Sequence, residues 1–251
     1  MRIRSFIIAY ALVLAILLFA DRRPGSAQSD RYSHVVDLTA GQSATTHGRT
    51  RESAGPESAK TDSTTESKTR IIAPSTLIPG TWAAGQIPAE RLIAPLVVMD
   101  LNVTTVTVGG SPQISPAQIT LDDVAAWESL HGMIPQGAVV AIRRVGTANA
   151  LPTSDLSASL SAMALTPLPI TRDAAMFLIE ARYTIGFAVE TPVTLATDRT
   201  LARQLALHGN YVVEGTARFT SLPATGSLVI VAPAKNKKPG AAAVRILAMV
   251  R

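Results

Sequence analysis

Four histidines, His34, His47, His131 and His208, are the only imidazoles in the 251 residues, and there is no cysteine. Without thiols the chain can form no disulfide, no thiolate zinc or iron–sulfur site and no cysteine nucleophile. No two histidines stand four residues apart, so a helical two-histidine metal pair is excluded. His34, Asp37, His47 and Glu66 fall within one N-terminal stretch and could supply a metal site between them, although their spacing follows no ligand pattern. His47, in Thr46-His47-Gly48-Arg49, reads better as an exposed loop residue. His131 and His208 each precede a glycine, which places them at helix ends, where an imidazole suits the helix dipole. There is no Gly-x-Ser-x-Gly, so a serine hydrolase has no nucleophile elbow. Acid–base chemistry would then fall to carboxylates.

The elements that must position these groups alternate between strand and helix. Short apolar runs at His34–Leu38, Leu96–Leu101, Ala138–Ile142, Ile185–Val189, Tyr211–Glu214, Leu228–Ala232 and Val244–Ala248 read as strands. Thr120 is an N-cap with Asp122 and Asp123 in the first turn, and Val124, Trp127 and Leu130 recur at helical spacing until Gly132. Thr171-Arg172-Asp173 opens a second helix with Ala174, Phe177, Leu178 and Ala181 on one face, and Thr200–His208 is a third. This alternation argues for an α/β fold. Residues 39–69 are rich in Ser, Thr, Gly and charge and read as a long flexible segment. Residues 147–169 read as an insertion of low charge without periodicity.

Hydrophobic residues make up 47% and charged residues 16%, which suits one packed domain. Residues 1–27 have the form of a signal peptide: Arg2 and Arg4, an apolar run from Ser5 to Ala20, then Gly25-Ser26-Ala27 before a cut. Export to the periplasm or beyond is therefore expected, with an uncleaved membrane anchor as the alternative. That segment carries four arginines against one aspartate, so it holds +3 of the net charge of +5 and leaves +2 for the rest. No basic patch interleaved with aromatics exists, and no nucleic-acid partner is expected. The expected organisation is a signal peptide over 1–27, a short strand and flexible segment over 28–69, and the remainder of the domain over 70–251.

Four segments in order resemble the cyclase superfamily, which includes bacterial kynurenine formamidases (arylformamidases) and isatin hydrolases. They are Val35-Val36-Asp37-Leu38-Thr39, Gln86–Pro95 running into Val97-Val98-Met99-Asp100, Thr120–Gly137 with Trp127-Glu128 and His131-Gly132, and Ser221–Gly226 with Gly240–Ala248. The resemblance covers about residues 33–251. It implies a swivelling β/β/α-type single domain, a homodimer or higher oligomer, and zinc or manganese held by His-x-Gly-Thr-His-x-Asp-x-Pro-x-His. The implied chemistry is metal-assisted hydrolysis of an N-formylkynurenine-type amide or a lactam.

Aligned on Pro74 and Thr69, the motif positions in this chain hold Glu66, Lys68, Arg70, Ile72 and Thr76. Arginine has no lone pair to give a cation at neutral pH, and isoleucine has no donor. The resemblance also implies a helix histidine twelve residues before Glu214, where this chain has Ala202. Glu214 itself is kept, and Glu190-Thr191 matches the Asp-Thr that follows the buried strand. Trp82, beside Gly80-Thr81, falls in the segment that lines the pocket of family enzymes; a ligand-stacking wall and ordinary loop packing are equal readings. The expectation is a degenerate member without metal or cofactor, with Glu214 as a catalytic remnant and Glu66, Trp82, Glu190 and Thr191 around a pocket for a small aromatic ligand. The alternatives are an active amide or lactone hydrolase with a displaced site, which would need zinc or manganese if the family chemistry is retained, and a structural partner of an intact paralogue.

Overall fold

The longest strand among the described residues, β3 (Ile93–Asn102), is largely apolar and is buried on both faces. Leu96 and Val98 pack into one cluster, and Val97, Met99 and Leu101 into another. Strands β6 (Val139–Val145) and β8 (Gly186–Val189) divide their side chains in the same way. A strand covered on both faces reads as a continuous hydrophobic stretch rather than an alternating one, which is why these segments stood out in the sequence.

The structure is a computed structural model that describes residues 32–40, 69–103, 105–108, 111–114, 117–146, 166–235 and 238–251. The expected signal peptide over residues 1–27, most of the segment expected to be flexible, His47, Glu66 and Lys68 lie outside them. Strands β1 (His34–Asp37), β2 (Arg70–Ile72), β10 (Tyr211–Glu214), β11 (Ser227–Pro233) and β12 (Ala242–Val250) complete the main sheet. Its order is β1-β12-β11-β3-β6-β8-β10-β2, and β12 also pairs with β2. That last pairing, Ala242 to Ile71 and Ala243 to Arg70, closes seven of the strands into a ring, with β1 attached outside it along the end of β12. β3, β6, β8 and β10 are mutually parallel and the other pairings antiparallel. Two minor pairs, β4 (Thr105–Val108) with β5 (Ser111–Ile114) and β7 (Thr166–Pro167) with β9 (Val193–Thr194), stand apart.

Two cores result. One fills the barrel with Leu38, Ile71, Leu96, Val98, Tyr211 and Ile246. The other lies between the outer barrel face and the helices, where Met99, Ile142 and Phe187 meet Trp127, Leu178 and Leu205. Those helices are α2 (Leu121–His131), α3 (Arg172–Ala181) and α4 (Arg199–Leu207), preceded by the short α1 (Pro74–Leu77). The Thr120 cap is a reciprocal box with Asp123, and Thr171 caps α3. Two expectations about faces need correction. Leu130 is 80% exposed. On α3 the buried positions are Ala174, Ala175, Leu178 and Ile179, while Ala181 is exposed.

Glu128 joins α2 to α3 through a two-pronged ion pair, accepting from Arg182 Nε at 2.6 Å and Nη2 at 2.9 Å, and it also accepts from the Ile134 amide at 3.0 Å. The hydrogen bond from Arg182 holds the Glu128 carboxyl below its ordinary value of 4.5. A carboxyl depressed in the folded state contributes stability above its unfolded value and loses it as the pH falls through the folded one. Glu128→Gln is therefore expected to lower stability by about 1–2 kcal/mol at neutral pH. The deficit should shrink as urea unfolding is repeated at pH values falling below 4.5. A deficit that stays constant with pH would mean that the charge of Glu128 contributes nothing.

Candidate functional site

Strand β2 lies antiparallel to β10, with Arg70 opposite Glu214 and Ile72 opposite Val212. Directly opposed residues share a face of the sheet. Ile72 and Val212 belong to the core under the helices, whereas Ile71 and Val213 belong to the barrel interior. Arg70 and Glu214 therefore face outward, toward the helix layer. There α1 packs against α4, and together with the β9 segment they enclose a cleft of about 750 Å³. Ile72, Leu77, Ile78, Val193 and Leu195 supply its apolar lining. Thr76 reaches it from α1, and Arg199, Ala202 and Arg203 reach it from one side of α4. Asp198 caps that helix by accepting from the Leu201 amide at 2.9 Å, which fixes where the two arginines emerge.

Arg70, Ile72, Thr76, Ala202 and Glu214 thus come together in one cleft, although 144 positions of chain separate the first from the last. Glu214 is 7% exposed, and its Oε2 accepts from the Val193 amide at 2.9 Å, which ties β9 to the barrel. The motif threonine, Thr69, is buried; its hydroxyl donates to Gly215 O at 2.7 Å and accepts from the Ala40 amide at 2.8 Å. It joins the exits of β1 and β10 and anchors the start of β2.

The other candidates lie elsewhere. Trp82 lines a smaller cleft of about 210 Å³ with Pro74, Gly80, Thr81 and Gly209. Arg91 stacks over its indole at 5.6 Å and donates through Nη2 to the carbonyls of His208 and Gly209. These contacts pack Trp82 against the turn after α4, beside the main cleft. Glu190 accepts from the Arg144 amide at 3.1 Å at the ends of β6 and β8. Burial pushes its carboxyl upward, against the pull of that amide and of the Arg144 and Arg143 charges. Thr191 is buried in the β8–β9 connection and is not part of the lining of the main cleft. Glu66 and His47 lie outside the described residues.

The donor chemistry of the cleft does not fit a divalent metal. Among the described residues its lining contains one carboxylate and no histidine, against three guanidinium groups. Among the described residues no group of three or more His, Cys, Asp or Glu side chains is placed to hold a metal ion. Sequence reasoning considered Arg70 only as a failed ligand, and it passed over Arg199 and Arg203 altogether. Their signal was present: two arginines four residues apart on one helix face, with no acid at the positions that would pair them.

The closed barrel and its outer helix layer have the fold seen in solved cyclase-family structures. The Cyclase family profile matches residues 32–195, and the chain belongs to that family. Isatin hydrolase A from Labrenzia aggregata bound to benzyl benzoate is 24% identical, with a TM-score of 0.60, over 92% of this chain and 98% of that one. Isatin hydrolase A from Ralstonia solanacearum is 25% identical, with a TM-score of 0.61, over 87% of this chain and 92% of that one. An isatin hydrolase bound to the product analogue thioisatinate is 20% identical, with a TM-score of 0.59, over 100% of this chain and 99% of that one. No curated protein shows significant sequence similarity to the chain.

Proposed function

We propose that this chain is an exported member of the Cyclase family that has exchanged metal-dependent hydrolysis for binding of a small aromatic molecule. One observation carries the reading: three of the four positions matched to metal ligands, and the position matched to the helix histidine, line a single cleft as Arg70, Ile72, Thr76 and Ala202. None of these four side chains is a usual metal ligand, and Arg70 would repel a cation. The Glu214 carboxylate that remains is already engaged by a backbone amide, so it holds a wall of the cleft in place. The apolar lining and volume suit a ligand of one or two rings. Support also comes from the isatin hydrolase structure that contains benzyl benzoate. The N-terminal pattern of residues 1–27 supports export.

The purified chain, incubated with zinc and manganese and then desalted, is expected to carry far less than one metal per chain by elemental mass spectrometry. It is expected to leave N-formylkynurenine and isatin unhydrolysed. Stoichiometric metal, or hydrolysis at an enzyme-like rate of about 1 per second or more, would sink the reading. Hydrolysis without metal that disappears in Glu214→Gln would instead assign a metal-free site to that carboxylate.

A further inference from the structure

The cleft has a charge as well as a shape. Arg70 approaches it from the barrel edge, and Arg199 and Arg203 approach from the facing side of α4. All three are exposed, so the guanidinium groups gather at the mouth, while Ile72, Val193, Leu195 and Ala202 lie buried deeper. Among the described residues none of the three arginines forms an ion pair, although Arg143, Arg172, Arg182 and Arg245 all do. Among the described residues of the lining, Glu214 is the one carboxylate against three guanidinium groups. Arg199 and Arg203, one helical turn apart, repel each other and have Arg70 across the opening. Clustered cations around an apolar cavity focus a positive potential into it.

We propose that the cleft recognises an amphipathic organic anion, with its apolar body against the Ile72–Val193–Leu195 wall and its carboxylate or sulfonate between Arg70, Arg199 and Arg203. Guanidinium groups offer paired N–H donors that match the two oxygens of such a head group. The arginines thereby replace a bound cation as the source of positive charge in the cleft, and the attraction is directed at the ligand itself. This inference rests on the binding role proposed above and adds the chemical class of the ligand.

Isothermal titration calorimetry with 1-naphthoate, 1-naphthamide and inorganic phosphate tests it on the full chain. Naphthoate is expected to bind at least about tenfold tighter than the neutral amide and than phosphate, and to weaken as salt is raised. Arg199→Gln and Arg203→Gln sit on an exposed helix face and should keep the wild-type thermal melt while each weakens naphthoate by about tenfold. Equal affinity for naphthoate and naphthamide would overturn the anion assignment and leave the aromatic binding role standing. Unchanged naphthoate affinity in both arginine variants, or phosphate as tight as naphthoate, would also overturn it. Binding of none of the three probes would overturn both readings.

Discussion

Gly186→Ala is expected to cost about 3 kcal/mol, a large share of the stability of an ordinary domain. Gly186 opposes Tyr211 across the parallel β8–β10 ladder, and the Tyr211 ring lies over it. A Cβ built on Gly186 would sit 2.6 Å from ring Cε2, 2.8 Å from Cδ2 and 2.9 Å from Cζ. The ring cannot retreat. It is fully buried in the barrel interior, and its hydroxyl donates to Arg91 O at 2.9 Å. Burial pushes the phenol far above its ordinary value, so it remains a donor at any working pH. Either the ring leaves its rotamer or the two strands separate, and both disturb the edge of the barrel that carries Glu214. Urea unfolding measures the loss, and Tyr211→Leu in the Gly186→Ala background should recover part of it. A single variant within about 0.5 kcal/mol of wild type would show that the barrel interior is looser than this packing implies.

Trp127→Ala is expected to cost about 3–5 kcal/mol. Its side chain is 8% exposed and belongs to the core between α2 and the outer barrel face. Its indole also performs a polar task. The β11 ladder along β3 ends at Leu96, which leaves the next backbone groups on that edge without a strand partner. The Val98 amide donates to Ala224 O at 2.9 Å, and the Val98 carbonyl accepts from the Trp127 indole at 2.9 Å. Removing the side chain creates a cavity and orphans a buried carbonyl together. Trp127→Phe separates the two, because it keeps most of the volume and loses only the donor, and it should cost about 1–2 kcal/mol. If phenylalanine proved as damaging as alanine, the hydrogen bond rather than the packing would hold α2 to the barrel.

The family and most of the long elements were legible without coordinates. β3, β6, β8 and β10 announce themselves as apolar runs because strands buried on both faces must be hydrophobic throughout, whereas β11 and β12 bury alternate residues against the barrel interior and show through their β-branched and aliphatic content. Thr120 and Thr171 announce their helices because a side-chain oxygen is needed at an unsatisfied helix end. The shorter elements were not legible. β2 has three residues and α1 has four, too few to show a period, and the β4–β5 pair was passed over although Thr105-Val106-Thr107-Val108 alternates polar and apolar ahead of Gly109-Gly110. α3 was found, but its buried face was misjudged, because which side of a helix is covered depends on a neighbour remote in sequence.

The candidate site divides along the same line. That the matched segment holds none of the family's histidine or aspartate ligands is a property of residue type, so the sequence alone determined it: no histidine or aspartate stands anywhere between Glu66 and Thr76 in any register. What took their place was decided only by tertiary structure. The pairing of β12 with β2 closes the ring and turns Arg70 toward the helix layer. The packing of α1 on α4 then brings Arg199 and Arg203 to the same opening from about 130 positions further along the chain. A charge on one helix carries no local signal of the strand it will face. Three arginines that look like scattered surface residues become one positive cleft only when the barrel closes beneath them.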